Sequence, residues 1–228
     1  VLTWAIGLVS IWSTRRYATP AAAEPGDRLT PLGGLRLFLA DFIGTLKVYN
    51  FRQLLAFDAA ASVSYGVLIS LHMLGNIYFW ELDSHQIAII LAVPSLLGVS
   101  AAMLSVHWLG RRLAKHSILQ VSCGLLIVVG IWPYALRLAG LMPENGHPAI
   151  FWSLFAQMLL WMYLFILRAI AAQSLTADIA DENDLAQGRR QEGALFAAST
   201  FTSKMAGAIG PLYGGAVLDV VGLNRGMT

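Results

Sequence analysis

One lysine sits in the middle of a stretch otherwise suited to hydrocarbon. In EGALFAASTFTSKMAGAIGPLYGGAVLDV, residues 192–220, Lys204 carries the only charge between Glu192 and Asp219. It falls about eleven residues into the apolar run, which as helix is roughly 16 Å into a layer about 30 Å thick. A lysine stem is too short to bring its ammonium comfortably to either surface from there. Facing lipid would cost about 3 kcal/mol or more, so Lys204 is expected to face a polar interior. Two roles suit it: a tether paired with an acid on another helix, or a fixed cation beside the path of a solute. Helical spacing puts Thr200, one turn earlier, and Gly207 on the same face.

A second group of charges precedes it in TADIADENDLAQGRRQEG. Asp178 and Glu182, four apart, share a helical face, with Asp181 beside them; Arg189, Arg190 and Glu192 follow Gly188. Acids ending one helix and bases opening the next can close the mouth of a bundle by ion pairing, although a solvated loop of mixed charge has the same composition. Arg168 lies ten residues before Asp178 inside the preceding apolar run, where it either lines an interior path or anchors at the interface. Asp58, six residues after Arg52, can cap, pair or bind. Trp161, with Trp152 and Tyr163 nearby, offers either a face for a sugar ring or simple packing.

These residues need elements that can hold them. Of 228 residues, 57% are hydrophobic and 12% charged, and mean hydropathy is +0.64. That is about half the charged fraction of a soluble domain, and the apolar residues come in runs of membrane-spanning length. An all-α, polytopic membrane protein follows. Full spans are expected at 54–79, 86–109, 117–138, 149–172 and 193–218. Residues 1–13 read as the end of an earlier span, and 14–53 as a connector holding Pro20, Pro25 and Pro31, with an amphipathic surface helix at 35–49.

Lys and Arg concentrate on one set of connections: Arg15, Arg16, Arg28, Arg36, Lys47, Arg52, Arg111, Arg112, Lys115, Arg189 and Arg190. The opposite set has Arg137 and Arg225. The positive-inside rule places 14–53, 110–116 and 180–191 in the cytoplasm. In the last span Gly207, Gly210 and Gly214 form a small-residue strip that admits a close neighbour. Pro94, Pro133 and Pro211 interrupt spans and leave carbonyls that something else must satisfy. The single cysteine, Cys123, cannot form an internal bridge. A net charge of +2, dispersed over loops, argues against a nucleic-acid partner. No phosphate loop, HExxH pair or Ser/His/Asp set points to an enzyme.

The stretch from Ala177 to Gly215 resembles the tenth-to-eleventh helix signature of the glycoside-pentoside-hexuronide:cation symporters, the melibiose-carrier-like branch of the major facilitator superfamily. It has Asp178, a second acid at Asp181, then G-R-R-Q-E-G, an aromatic-containing run of small residues, and Lys204 in that order. GRRLAKHS is similar to the basic loop between the second and third helices of each half. The resemblance implies two six-helix halves around a central site opened alternately to each side. This chain would then hold the end of helix six and helices seven to eleven at 54–222, without helix twelve or the N-terminal six-helix half.

By resemblance, Lys204 lies by the cation and sugar sites and Thr200 by the cation-binding region. Asp178 and Arg190 join across a cytoplasmic gate, with Glu192 following. The resemblance also implies symport of a sugar or glycoside with Na⁺, Li⁺ or H⁺, no bound cofactor, and a bacterial inner-membrane location. The sequence departs from the sugar carriers at Glu182 and Asn183, where they have Tyr after the second acid. At Ala169 the melibiose carrier has a sugar-neighbouring Trp. A lipid or amphiphile carrier of the same fold, and a non-transporting membrane sensor or scaffold, stand as alternatives.

Overall fold

The structure, a computed structural model, describes residues 13, 33, 43–44, 46–187 and 192–221. The chain divides into two compact units, Val1–Ala40 and Asp41–Thr228. Ser13 and Gly33 in the first are helical, and the second unit holds every element named below. The expected end of a span at 1–13, the irregular first part of the connector and most of the surface helix at 35–49 lie outside the described residues.

Where the connector can be followed, it ends sooner than expected. Leu46 to Val48 form a turn, closed by the Lys47 N–H donating to the Gly44 carbonyl at 3.1 Å. Helix α1 then starts at Tyr49 rather than after residue 53. Phe51 explains the early start: it is wholly buried against Leu55, Ala180, Leu195 and Ala198. Burial of one large ring outweighs the exposure of Arg52 and Gln53 beside it.

Helix α1 spans Tyr49–Leu74 and runs into a π-helical turn, Gly75–Phe79. Four more helices follow: α2, Ser84–Arg112; α3, Lys115–Leu138; α4, Pro148–Gln187; and α5, Glu192–Val221. Among the described residues every element is helical. Four segments, Tyr49–Phe79, Ser84–Arg112, Lys115–Leu138 and Pro148–Glu182, are long and apolar enough to cross a membrane. With 30 residues α5 is as long as these, although it is not among the four.

Helix α4 corrects the expected loop at 180–191. It continues unbroken through Asp178 and Asp181 to Gln187, 40 residues in all, or roughly 60 Å. The segment ADIADENDLAQ lacks Gly and Pro and is rich in residues that tolerate helix, so nothing stops it before Gly188. Trp80 is fully buried and packs against Phe79 and Tyr134. Trp108 is exposed, under the Arg112 guanidinium at 4.4 Å.

Connections are tied by short polar contacts. Asp83 caps α2 in a reciprocal box, accepting from the Gln86 N–H at 2.8 Å while its own N–H donates to Gln86 Oε1 at 3.1 Å. Between α3 and α4, Arg137 donates to the Pro143 carbonyl and to Asn145 Oδ1, and Asn145 Nδ2 donates to the Phe79 carbonyl at 3.1 Å. Gly140 and Gly146 supply the positive φ angles that this loop needs.

In the packing, α1 lies along α5, while α4 takes α2 on one side and α3 on another. Backbone contact sets the first pair. A Cβ added to Gly66 would meet the Gly207 carbonyl oxygen at 2.5 Å and Gly210 Cα at 3.0 Å. One at Gly98 of α2 would meet the Leu159 carbonyl oxygen of α4 at 2.6 Å. The strip read from Gly207 and Gly210 thus has its counterpart at Gly66.

Two prolines leave carbonyls that neighbouring helices address. Pro133 cannot donate to Val129, and Gln157 of α4 fills that gap: its Nε2 donates to the Val129 and Gly130 carbonyls at 3.1 Å each. Pro211 likewise frees the Gly207 carbonyl, whose oxygen lies where a Cβ on Gly66 would fall. Both helices stay continuous through their prolines.

These contacts set expected stability changes, measured by unfolding of the full-length protein in lipid. Gly66→Ala should destabilise by about 1–3 kcal/mol through overpacking, whereas Gly124→Ala, with open space around the new methyl, should be near neutral. Gln157→Leu should cost about 1–3 kcal/mol by stranding a carbonyl. That cost should shrink by about 1 kcal/mol in a Pro133→Ala background, where residue 133 regains its own donor. Equal costs in both backgrounds would remove the proline-bracing role.

Candidate polar centre within the bundle

Asp58, Ser62 and Gly66 recur every four residues and share one face of α1. Opposite them on α5 stand Ser203, Gly207 and Gly210. The glycine contact brings the two backbones close enough for the short Ser203 side chain to cross, and its Oγ donates to Asp58 Oδ2 at 2.6 Å. From α4, Arg168 Nη1 donates to Asp58 Oδ1 at 3.1 Å. The side chains of Arg168 and Asp58 are 11% and 15% exposed, so water screens this pair poorly. Each carboxylate oxygen is held from a different helix, and the guanidinium also lies over the Phe165 ring at 5.6 Å.

Phe165 begins an aromatic stack that leads away from this centre. Its ring is 5.1 Å from Trp161 and 5.0 Å from Tyr65, and Tyr65 is 5.7 Å from Trp161, all near parallel. Beyond the stack opens a cavity of about 770 Å³, bordered by Tyr65 and Trp161 and reaching His72 and Gly75 at the far end of α1. There the Asn76 amide lies 3.2 Å from His72 Nδ1. Asn76 is fully buried at the start of the π turn.

The remaining predicted residues fall elsewhere. Lys204 and Thr200 share a face of α5, as their spacing requires, and that face is exposed, off the Ser203–Gly207–Gly210 line that packs on α1. Asp178 pairs with Lys115, the first residue of α3, at 2.7 Å through both oxygens. These side chains are 53% and 46% exposed. Asp181 and Glu182 are exposed. Arg190 lies outside the described residues, as does the Glu192 side chain, so a gate pair of Asp178 with Arg190 falls partly outside them. Among the described residues no group of three His, Cys, Asp or Glu is placed to hold a metal.

Asp58 and Arg168, each left open between structural and path-lining roles, are therefore brought together. Trp161 is both packed and cavity-lining. Sequence reading gave no partner role to Ser203, Lys115, Tyr65 or Gln157. A usable signal was there for Ser203: small or polar residues recur every four positions on α1 from Asp58, matching the Ser203, Gly207 and Gly210 strip.

A bundle of long apolar helices around a buried ion pair defines a multi-span integral membrane protein. Residues 38–228 match the family model described as MFS/sugar transport protein, and the chain belongs to that family of the major facilitator superfamily. It is therefore a membrane transporter in class, and holds part of the superfamily fold. Comparison with curated proteins and with solved structures gives no match.

The two ion pairs should respond differently to mutation. Asp58→Asn or Arg168→Gln strands a buried partner and should cost about 3–5 kcal/mol, and the double variant should cost less than the two single costs added. Lys115→Ala, at a half-exposed pair, should change stability by no more than about 1 kcal/mol. Chemical unfolding of the full-length variants measures both; strict additivity at the first pair would contradict direct coupling.

Proposed function

We propose that this chain is most of the C-terminal half of a cation-coupled symporter of the melibiose-carrier-like branch, moving a sugar or glycoside by alternating access. The observation that carries this reading is the contrast between two charges close in the bundle. Arg168 is neutralised by Asp58, while Lys204, beside Ser203 in sequence, stands on an exposed face of α5 with Thr200. The family match to sugar transport proteins and the ordered run from Asp178 to Lys204 support the same reading.

In this mechanism the Asp58–Arg168–Ser203 contacts join α1, α4 and α5 into one rigid body. The Lys204 face is turned toward the N-terminal half, where it borders the solute and the co-transported Na⁺, Li⁺ or H⁺. No resident cofactor is required. On the cytoplasmic side Asp178 is an exchangeable acid: held by Lys115 in one conformation, it passes to Arg190 as the gate forms, with Asp181 and Glu192 setting the local charge. Two half-exposed partners of similar strength suit such an exchange, because neither pairing is worth much more than about 1 kcal/mol.

The test is uptake by the full-length protein in proteoliposomes, with radiolabelled sugars and imposed Na⁺, Li⁺ or proton gradients. One of the gradients should drive accumulation. Lys204→Ala should lower that accumulation at least about tenfold, the scale of one lost charge-assisted hydrogen bond. Equal uptake with and without every gradient would refute symport. Normal accumulation in the Lys204 variant would remove that residue from the path, and no uptake of any solute would favour a sensor or scaffold.

A further inference from the structure

Two guanidinium groups at one end of the bundle have no acid paired with them among the described residues. Arg111 and Arg112 close α2, Lys115 opens α3, and only Leu113 and Ala114 separate the two helices. Lys115 is taken by Asp178. Asp181 and Glu182 stand exposed on α4 and reach neither arginine. The carboxyl end of α2 offers about half a negative charge, against two full positive charges on exposed side chains.

The surface beside these arginines is graded from charged to apolar. Trp108, four residues before Arg112 and on the same face of α2, is 54% exposed, with the Arg112 guanidinium 4.4 Å from the centre of its ring. An indole half outside the protein and under a cation suits the boundary between headgroups and hydrocarbon. One turn further in, Leu104 is 83% exposed, and Val121, Leu125 and Val128 make an exposed face of α3. Both helices pack on α4 and barely touch each other, so their apolar sides stay open. From Arg112 to Leu104 is about 12 Å along the helix and from Lys115 to Val128 about 20 Å. One leaflet's hydrocarbon is about 15 Å deep.

We propose that this corner binds an anionic phospholipid, with Arg111 and Arg112 on its phosphate, Trp108 at its glycerol level and its acyl chains along α2 and α3. A guanidinium meets a phosphodiester through parallel N–H donors. A headgroup that also carries an ammonium is disfavoured beside two unpaired arginines, because the carboxylate that this turn contacts, Asp178, is engaged by Lys115. Net negative charge on the lipid is therefore preferred. The site is separate from the polar centre and from the cavity. It requires only that the chain spans a membrane, whatever the solute and its coupling. Lipid held there fixes the α2–α3 turn at the membrane surface, next to the Asp178–Lys115 pair.

The experiment is native mass spectrometry of the full-length protein, delipidated and titrated with phosphatidylglycerol or with phosphatidylcholine of the same chains. The first phosphatidylglycerol should bind at least about tenfold more tightly than the first phosphatidylcholine. At about fivefold for each basic residue near an anionic headgroup, Arg111→Gln with Arg112→Gln should weaken phosphatidylglycerol about 25-fold and leave phosphatidylcholine nearly unchanged. Lys47→Gln with Arg52→Gln removes the same charge from exposed positions and should leave both affinities at parental values. Trp108→Ala should weaken phosphatidylglycerol about two- to fivefold, and Trp108→Phe should recover part of that loss.

Equal binding of the two lipids by the parent overturns the proposal, as does an equal loss in the two double variants, which would reflect net charge and no local site. Retention of neither lipid, as when an opposing part of the protein covers α2, overturns it too. Displacement by free glycerol phosphate at the lipid's own concentration would assign the arginines to a soluble anion and remove the lipid site. Should the arginine double variant not fold, Arg111→Gln and Arg112→Gln singly, each about fivefold weaker for phosphatidylglycerol, decide the matter.

Discussion

A carboxylate among apolar helices has to be met at both oxygens, and the geometry of this bundle follows from meeting Asp58. Arginine can reach across a helix gap, whereas serine cannot. The 2.6 Å contact from Ser203 therefore requires α1 and α5 to approach at backbone distance, and Gly66, Gly207 and Gly210 are what allow it. Remove the glycines and the serine is out of reach; remove the carboxylate and Arg168 is left charged in a place with little water. Because buried ion pairs often fail to recover their desolvation, this centre is better understood as fixing which helices are neighbours than as a large source of stability.

The prolines follow the same logic at lower stakes. Each removes a backbone donor, and in hydrocarbon the carbonyl left behind has no water to turn to. Gln157 answers for Pro133 with a side-chain amide, and at Pro211 the freed Gly207 carbonyl is packed closely against Gly66. A buried glutamine, which by itself suggests a polar solute site, is accounted for by a backbone defect on the next helix. That matters for the cavity, since Gln157 borders it and its amide N–H groups are already committed.

The class of fold was legible because hydrocarbon filters composition so strongly: runs of apolar residues located all five helices, and the small-residue strip on α5 forecast a close neighbour. Boundaries were less legible for identifiable reasons. Phe51 starts α1 early through a burial contact with α4 and α5 that no local window contains. At the other extreme, α4 outruns the membrane because its polar tail has good helix formers and meets no breaker before Gly188. The charged residues were easy to find and hard to pair. Asp58 and Arg168 are 110 positions apart, and Lys115 and Asp178 are 63, so only the packing of helices joins them.

The two pairs also divide by what their surroundings permit. Asp58 and Arg168 are shielded, bonded from three helices and close to neutral as a unit, so exchanging either partner would leave a charge in a poorly hydrated place. Asp178 and Lys115 are half in water, where losing a partner costs little and regaining another gains as little. The alternating access proposed above would use both kinds, one half staying rigid while the mouth opens and closes. The shielded pair suits the part that moves as a unit, and the hydrated pair suits the part that changes partners. Lys204 belongs to neither group: among the described residues no ion pair neutralises its charge, and it lies one residue from the centre's serine. An uncompensated cation on the face of a rigid unit repels a second cation and attracts a carboxylate. In the symport proposed above, such a charge would favour an arrangement that brings an acid to it over one that brings a bare cation alone, the differential that coupling would use.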